Sequence, residues 1–261
     1  MAGRVPRPVK CRLLLLALVF AGCQQPEPAI QREAPRPVAA HSAAPAPSPA
    51  LPVGATFDDA RIDWTLNPVM RRLGSVASSL EESQYTYGFS VNEKKGIYRF
   101  DCSGMAQWVL RKAAPVAALT IGHGLTPRPL ARDFQRRIAR VPADRERGGW
   151  KRITKIRDLL PGDVVAWIKP VEIESPNTGH VAFIVLPPVL APGYDNAYLV
   201  RIADSTRLLH DEDSRAGRTG FGFGTILLVA DPETDAPIAY GWVGLRWRAF
   251  ETPIALGRPV R

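Results

Sequence analysis

Apolar positions along the chain fall into two regimes. In the first, they recur at helical spacing. Val69, Leu73, Val76 and Leu80 share one face, which predicts a helix near Pro68–Glu82. Pro68 suits its first turn. Met105, Trp108, Val109 and Lys112 keep the same spacing after Asp101 and predict a second helix, closed by Pro115. Leu130, Phe134 and Ile138 form one stripe of a third, near Pro129–Arg140. In the second regime, short apolar or β-branched runs read as strands: Asp163–Ile168, Val181–Leu186, Tyr198–Ala203, Thr225–Ala230 and Pro237–Trp247. Turn signals such as Pro161-Gly162, Pro192-Gly193 and Asp231-Pro232 separate them. Gly217–Gly224 reads as a hairpin connection, because it lacks the strand–loop–helix context of a phosphate loop. Helices first and strands later predict an α+β fold, with N-terminal helices packed on an antiparallel sheet.

The ends of the chain follow other rules. Arg4, Arg7, Lys10 and Arg12 precede the apolar run Leu13–Phe20 and the small residues Ala21-Gly22, the pattern of a secretory signal over residues 1–22. The run is too short to span a bilayer, which takes about 20 residues. Phe20-Ala21-Gly22-Cys23 resembles the lipobox of bacterial lipoproteins. That resemblance implies cleavage before Cys23 and a diacylglycerol on its thiol. Gln24 after the cysteine resembles lipoproteins sorted to an outer membrane, which implies a lipid-anchored protein of the cell envelope facing the periplasm. Residues 24–54 hold eight prolines, eight alanines and no aromatic residue. Such a segment favours extended geometry and buries no core, so 23–55 is expected to be a tether. The folded domain is expected over 56–261.

Composition sharpens this. With 23% charged and 46% apolar residues the chain is neither wholly disordered nor collagen-like. The net charge of +9 becomes +5 once the four basic residues of the signal are removed. A segment expected as an insertion, about 115–157, carries more than that excess: from Arg128 to Arg157 there are eleven basic and three acidic residues. Arg132, Arg136 and Arg140 would form one ridge, which suits anionic wall polymers or lipid headgroups, or is simply a solvated face with local salt bridges. An exported protein leaves nucleic acid out as a partner. The three cysteines, Cys11, Cys23 and Cys102, form no disulfide framework and no Cys-x-x-Cys pair. No metal-ligand spacing and no cofactor fingerprint occurs, so neither a metal nor a cofactor is expected.

Cys102 is the thiol left over. In Phe100-Asp101-Cys102-Ser103-Gly104 a loop becomes a helix, and Asp101 is a plausible N-cap. The free N–H groups and dipole of a helix start are expected to lower the thiol pKa and to face a developing oxyanion. A thiol nucleophile also wants a base. His180, opening the strand Val181–Leu186, is favoured. His210, in the run His210-Asp211-Glu212-Asp213, is next but reads as solvated, and His123 lies between two glycines of a loop. Asp204, after Tyr198–Ala203, is either a partner for the imidazole or an ordinary turn aspartate.

Three segments carry a resemblance. Phe100-Asp101-Cys102-Ser103-Gly104 with its tryptophan-bearing helix, Leu160-Pro161-Gly162-Asp163-Val164-Val165-Ala166-Trp167, and Thr178-Gly179-His180-Val181-Ala182-Phe183-Ile184-Val185 are similar, in order, to segments of the NlpC/P60 cysteine peptidases. The resemblance implies a papain-like α+β fold and hydrolysis of amide bonds in peptidoglycan stem peptides. It implies Cys102 as nucleophile, His180 as base and Asp204 in the place of the third polar residue. Tyr85, or Tyr87 as the alternative, falls near the thiolate, and Ser103 joins the oxyanion and substrate support. Two other functions stay open: a non-catalytic wall-binding scaffold on the same fold, which the tether and basic ridge fit equally well, and a thiol-dependent acyltransferase, which would use the same thiol and histidine.

Overall fold

The computed structural model describes residues 57–124, 128–244 and 248–260. The signal, the lipobox with Cys23 and the tether lie outside these residues. Four helices come first: α1 (Pro68–Ser79), α2 (Cys102–Ala113), α3 (Pro115–Leu119) and α4 (Ala131–Ala139). Between α1 and α2 three short strands, β1 (Glu82–Gln84), β2 (Ser90–Asn92) and β3 (Ile97–Arg99), pair in the order β1-β3-β2. The main sheet is built from β4 (Trp150–Ile153), β5 (Val164–Ile168), β6 (Gly179–Ile184), β7 (Val189–Leu190), β8 (Ala197–Thr206), β9 (Gly220–Ala230), β10 (Pro237–Gly241), β11 (Phe250–Glu251) and β12 (Ile254–Pro259). Its order is β11-β10-β9-β8-β6-β5-β12-β4, with β7 against β8, and its pairings are antiparallel. The fold is α+β.

The pattern that predicted each helix also buries it. Val69, Met70, Leu73 and Val76 of α1 are buried, and Asn67 caps its start by accepting the Met70 N–H at 3.0 Å. The helix stops at Ser79 rather than Glu82, because Glu82 begins β1 and pairs with Ile97. α2 is the central helix, with eight of its twelve residues buried. Phe134 and Ile138 bury α4 against the sheet.

Alternation along the strands divides the core. Val164, Ala166, Val181, Phe183 and Ala203 face the helices. Val165, Trp167, Ala182, Ile184 and Ile202 face the other way, with Ile226, Leu228 and Tyr240. The basic segment is built into this plan. β4 is an edge strand on β12, and Trp150 is buried with its Nε1 donating to the Ala117 carbonyl at 3.0 Å. β12, from the C-terminal end, runs between β5 and β4, and Arg258 ties it to Asp163 with two contacts of 2.8 Å.

The glycine-rich stretch is a correction to the sequence reading. Gly220–Gly224 is not a hairpin connection but the first half of β9, paired with β8 from Gly220↔Thr206 onward. Glycines and phenylalanines alternate there, so one face of the strand is bare. A Cβ on Gly222 would lie 2.5 Å from Arg215 Cγ, and one on Gly224 would lie 2.4 Å from His210 Cβ. The bare face is where the segment after β8 folds back.

Candidate active site

The notch that holds the site comes from an interrupted ladder. β6 and β8 pair at Ile184↔Ile202 and Phe183↔Ala203, and the pairing ends there. Beyond the last β6–β8 pair the backbone N–H of Val181 lies near the Cys102 sulfur and favours its charged form, as does the Ser103 N–H of the helix start. Ser205 fastens β8 to the segment before α2 through its hydroxyl, which donates to the Phe100 carbonyl at 2.8 Å. Gly179 admits the turn into β6: its φ is +142°, and a Cβ would stand 1.8 Å from the Trp167 carbonyl oxygen.

Asp101 caps α2 as expected. Its Oδ1 accepts the Gly104 N–H at 2.7 Å and the Ser103 hydroxyl at 3.0 Å, while Oδ2 meets Arg128 of the basic segment. The buried Ser103 hydroxyl, placed near oxyanion and substrate by the sequence reading, is engaged in this cap. The thiol is a correction to the expectation. Burial pushes Cys102 far above its ordinary value, and the charges of Asp101 and Asp204 push the same way. The N–H groups of Val181 and Ser103 favour thiolate, as the helix start predicts, but burial outweighs them.

His180 and Asp204 lie on the same face of the sheet, and His180 Nε2 is 2.6 Å from Asp204 Oδ2. Asp204 is fully buried inside β8 and is no turn residue. With Nε2–H donated to the carboxylate, Nδ1 is the nitrogen left to act as a base. Burial lowers the His180 pKa, and Asp204 partly restores it. The Trp167 ring, on the paired residue of β5, lies 5.0 Å from the imidazole. Among the described residues no hydrogen bond joins the Cys102 sulfur to the His180 ring.

His210 is the residue the sequence reading misplaced. It is 3% exposed rather than solvated. Its Nε2 lies 2.8 Å from the same Asp204 Oδ2, and its Nδ1 lies 3.0 Å from the Trp242 carbonyl oxygen. Arg215, also missed, meets Asp204 Oδ1, donates to the Gly220 carbonyl at 2.7 Å and pairs with Asp213 at 2.6 Å. The signal for both lay in the bare glycines of β9. Burial alone would raise the Asp204 carboxyl, but Arg215, His210 and the hydrogen bond from His180 hold it well below the carboxylate range. The donor atoms of His180, Asp204 and His210 lie within 4.8 Å of one another and are of metal-ligating type. The Arg215 guanidinium on the same carboxylate opposes a second cation there.

A groove of about 610 Å³ opens beside His180. Trp167, Tyr240, Trp242 and Phe250 line one part of it, and Tyr85 and Tyr87 another. Arg207 lies over both tyrosine rings, 5.1 and 5.4 Å from their centroids. The Tyr87 hydroxyl donates to Asn177 at 2.7 Å. Burial raises the Tyr85 phenol, with the charges of Cys102 and Asp101 adding to the effect. His123 belongs to the 3-10 turn Ile121–Gly124, and its side chain lies outside the described residues. No family model, curated protein or solved structure matches the chain.

Proposed function

We propose that the protein is a cysteine hydrolase of NlpC/P60 type with a papain-like fold, lipid-anchored in the cell envelope and cleaving amide bonds of peptidoglycan stem peptides. The observation that carries this reading is the 2.6 Å contact between His180 and a carboxylate held ionised by Arg215 and His210. It fixes the imidazole tautomer and frees Nδ1 for proton transfer at the strand mouth beside the Cys102 helix.

The resting pair is a neutral thiol and a neutral imidazole, because burial disfavours the charged form of each. The reaction therefore begins with proton transfer coupled to attack. His180 takes the thiol proton as sulfur bonds to the amide carbon, and the carbonyl electrons move onto oxygen. The Cys102 N–H, which has no intrahelical acceptor at the first turn, faces that oxyanion. The imidazolium returns the proton to the leaving amine as the C–N bond breaks. Water, deprotonated by His180, then displaces the thiol from the acyl-enzyme.

Cys102→Ala is expected to abolish cleavage of muropeptides while leaving the thermal melt nearly unchanged; full activity in that variant rules the mechanism out. The burial of the sulfur, with no bond to His180, favours a second reading, a wall-binding scaffold on the same fold. Alkylation separates them: a Cys102 that resists iodoacetamide at neutral pH, with or without wall peptides, supports the scaffold. Acyl transfer to an added amine would instead mark the acyltransferase.

A further inference from the structure

The outer side of α3 and α4 carries a pattern that catalysis does not use. Arg132 and Arg136 on α4 and Arg140 at its C-cap are all exposed, spaced about one turn apart. Val116 and Leu119, three residues apart on α3, are 47% and 74% exposed. A hollow of about 190 Å³ lies between α4 and the turn that follows α3, lined by Thr120, Gly122, Asp133, Arg136, Arg137 and Arg140. Three guanidinium groups thus face one carboxylate. That carboxylate is already engaged, since Asp133 Oδ2 accepts the Leu130 N–H at 2.9 Å. Arg137 donates through Nη2 to the Arg147 carbonyl at 2.8 Å, while its buried Nε has no acceptor. A cationic hollow with an unmet buried donor suits one tetrahedral anion of phosphate size.

Apolar side chains decide which source of phosphate fits. A dissolved anionic polymer gains nothing from an exposed leucine beside the arginines. A bilayer does: basic residues meet the headgroups while apolar ones enter the boundary below them. We propose that the α3–α4 face is a peripheral docking surface for an anionic phospholipid bilayer, with Leu119 and Val116 entering the interface and the arginines of the hollow receiving a lipid phosphate. The proposal stands apart from the catalytic reading, since none of these residues belongs to the site around Cys102.

The test uses the full chain carrying Cys23→Ser, so that no acyl chain contributes. Its sedimentation with phosphatidylcholine vesicles is compared with that on vesicles also containing phosphatidylglycerol. Every variant shares the same N-terminal segment, so the ratio between the two vesicle types is read. Arg136→Gln with Arg140→Gln should lower that ratio roughly 25-fold, about fivefold for each arginine near the surface. Leu119→Glu should also weaken binding to the anionic vesicles, whereas Arg111→Gln with Lys112→Gln on α2 should not. Variants that all bind as the parent does overturn the proposal. So does loss of binding in the arginine variant with none in Leu119→Glu, accompanied by equal loss on soluble polyglutamate; that result marks a polymer site.

Discussion

At the scale of single residues the site is a set of opposed charges whose balance sets its pH behaviour. Burial holds His180 below its ordinary value of 6.5, and Asp204 pulls it back up. On the proposed mechanism the neutral imidazole is the working base, so kcat/KM should rise with pH through a limb centred below 6.5 and then stay level, because the raised thiol does not ionise at moderately alkaline pH. Asp204→Asn should move that limb to still lower pH and cut kcat by roughly 10²–10⁴-fold through loss of the fixed tautomer; an unmoved limb would show that His180 is not the titrating group. The same carboxylate makes stability acid-sensitive. Its folded pKa lies well below the ordinary 3.8, so its contribution is complete above that value and is lost as pH falls toward the folded one. Asp204→Ala should destabilise by about 3–5 kcal/mol, since it leaves Arg215 and His210 buried without their counterion. Thermal melts across the acid range check both statements. The helix start at Cys102 and the strand that begins around His180 were legible in the sequence, whereas Asp204, read as either an imidazole partner or a turn residue, lies inside a strand whose end the sequence did not mark. The protonation of the thiol was not legible either. A helix start is a local feature, whereas the burial that overrides it comes from β6 and β8, remote in the chain.

At the scale of elements the periodic segments were the readable ones. α1, α2 and α4 lie where apolar residues recur every third or fourth position. β1, β2 and β3 escaped, because three-residue strands are too short to show alternation. The start of β9 escaped for another reason: its glycines read as a turn, yet they are a strand face emptied to admit His210 and Arg215. Gly224→Ala should therefore cost about 1–3 kcal/mol by overpacking. It should also lower activity, because the shift displaces the ring that holds Asp204. Gly88→Ala, where the nearest atom to a Cβ is 3.6 Å away, is the matched control. Equal melts and equal rates for the two variants would remove the packing argument.

At the scale of the molecule, helices before strands gave the α+β class, but strand order was hidden. The chain places β12 between β5 and β4, so the last strand closes the sheet around the basic segment. Removing residues 254–261 should leave β4 without its paired strand and the Asp163 carboxylate without its guanidinium partner, and so prevent cooperative folding, visible as loss of a sharp melt in circular dichroism. A normal transition in the shortened chain would assign β12 a lesser role. The interrupted ladder between β6 and β8 has a consequence for the lifetime of the protein. An accessible thiolate attacks peroxides and disulfides and is itself oxidised. A protonated sulfur tucked into the seam of a sheet presents neither charge nor access; on the proposed mechanism Cys102 stays chemically quiet until His180 takes its proton during attack, and it would endure an oxidising compartment that soon spends an exposed thiolate.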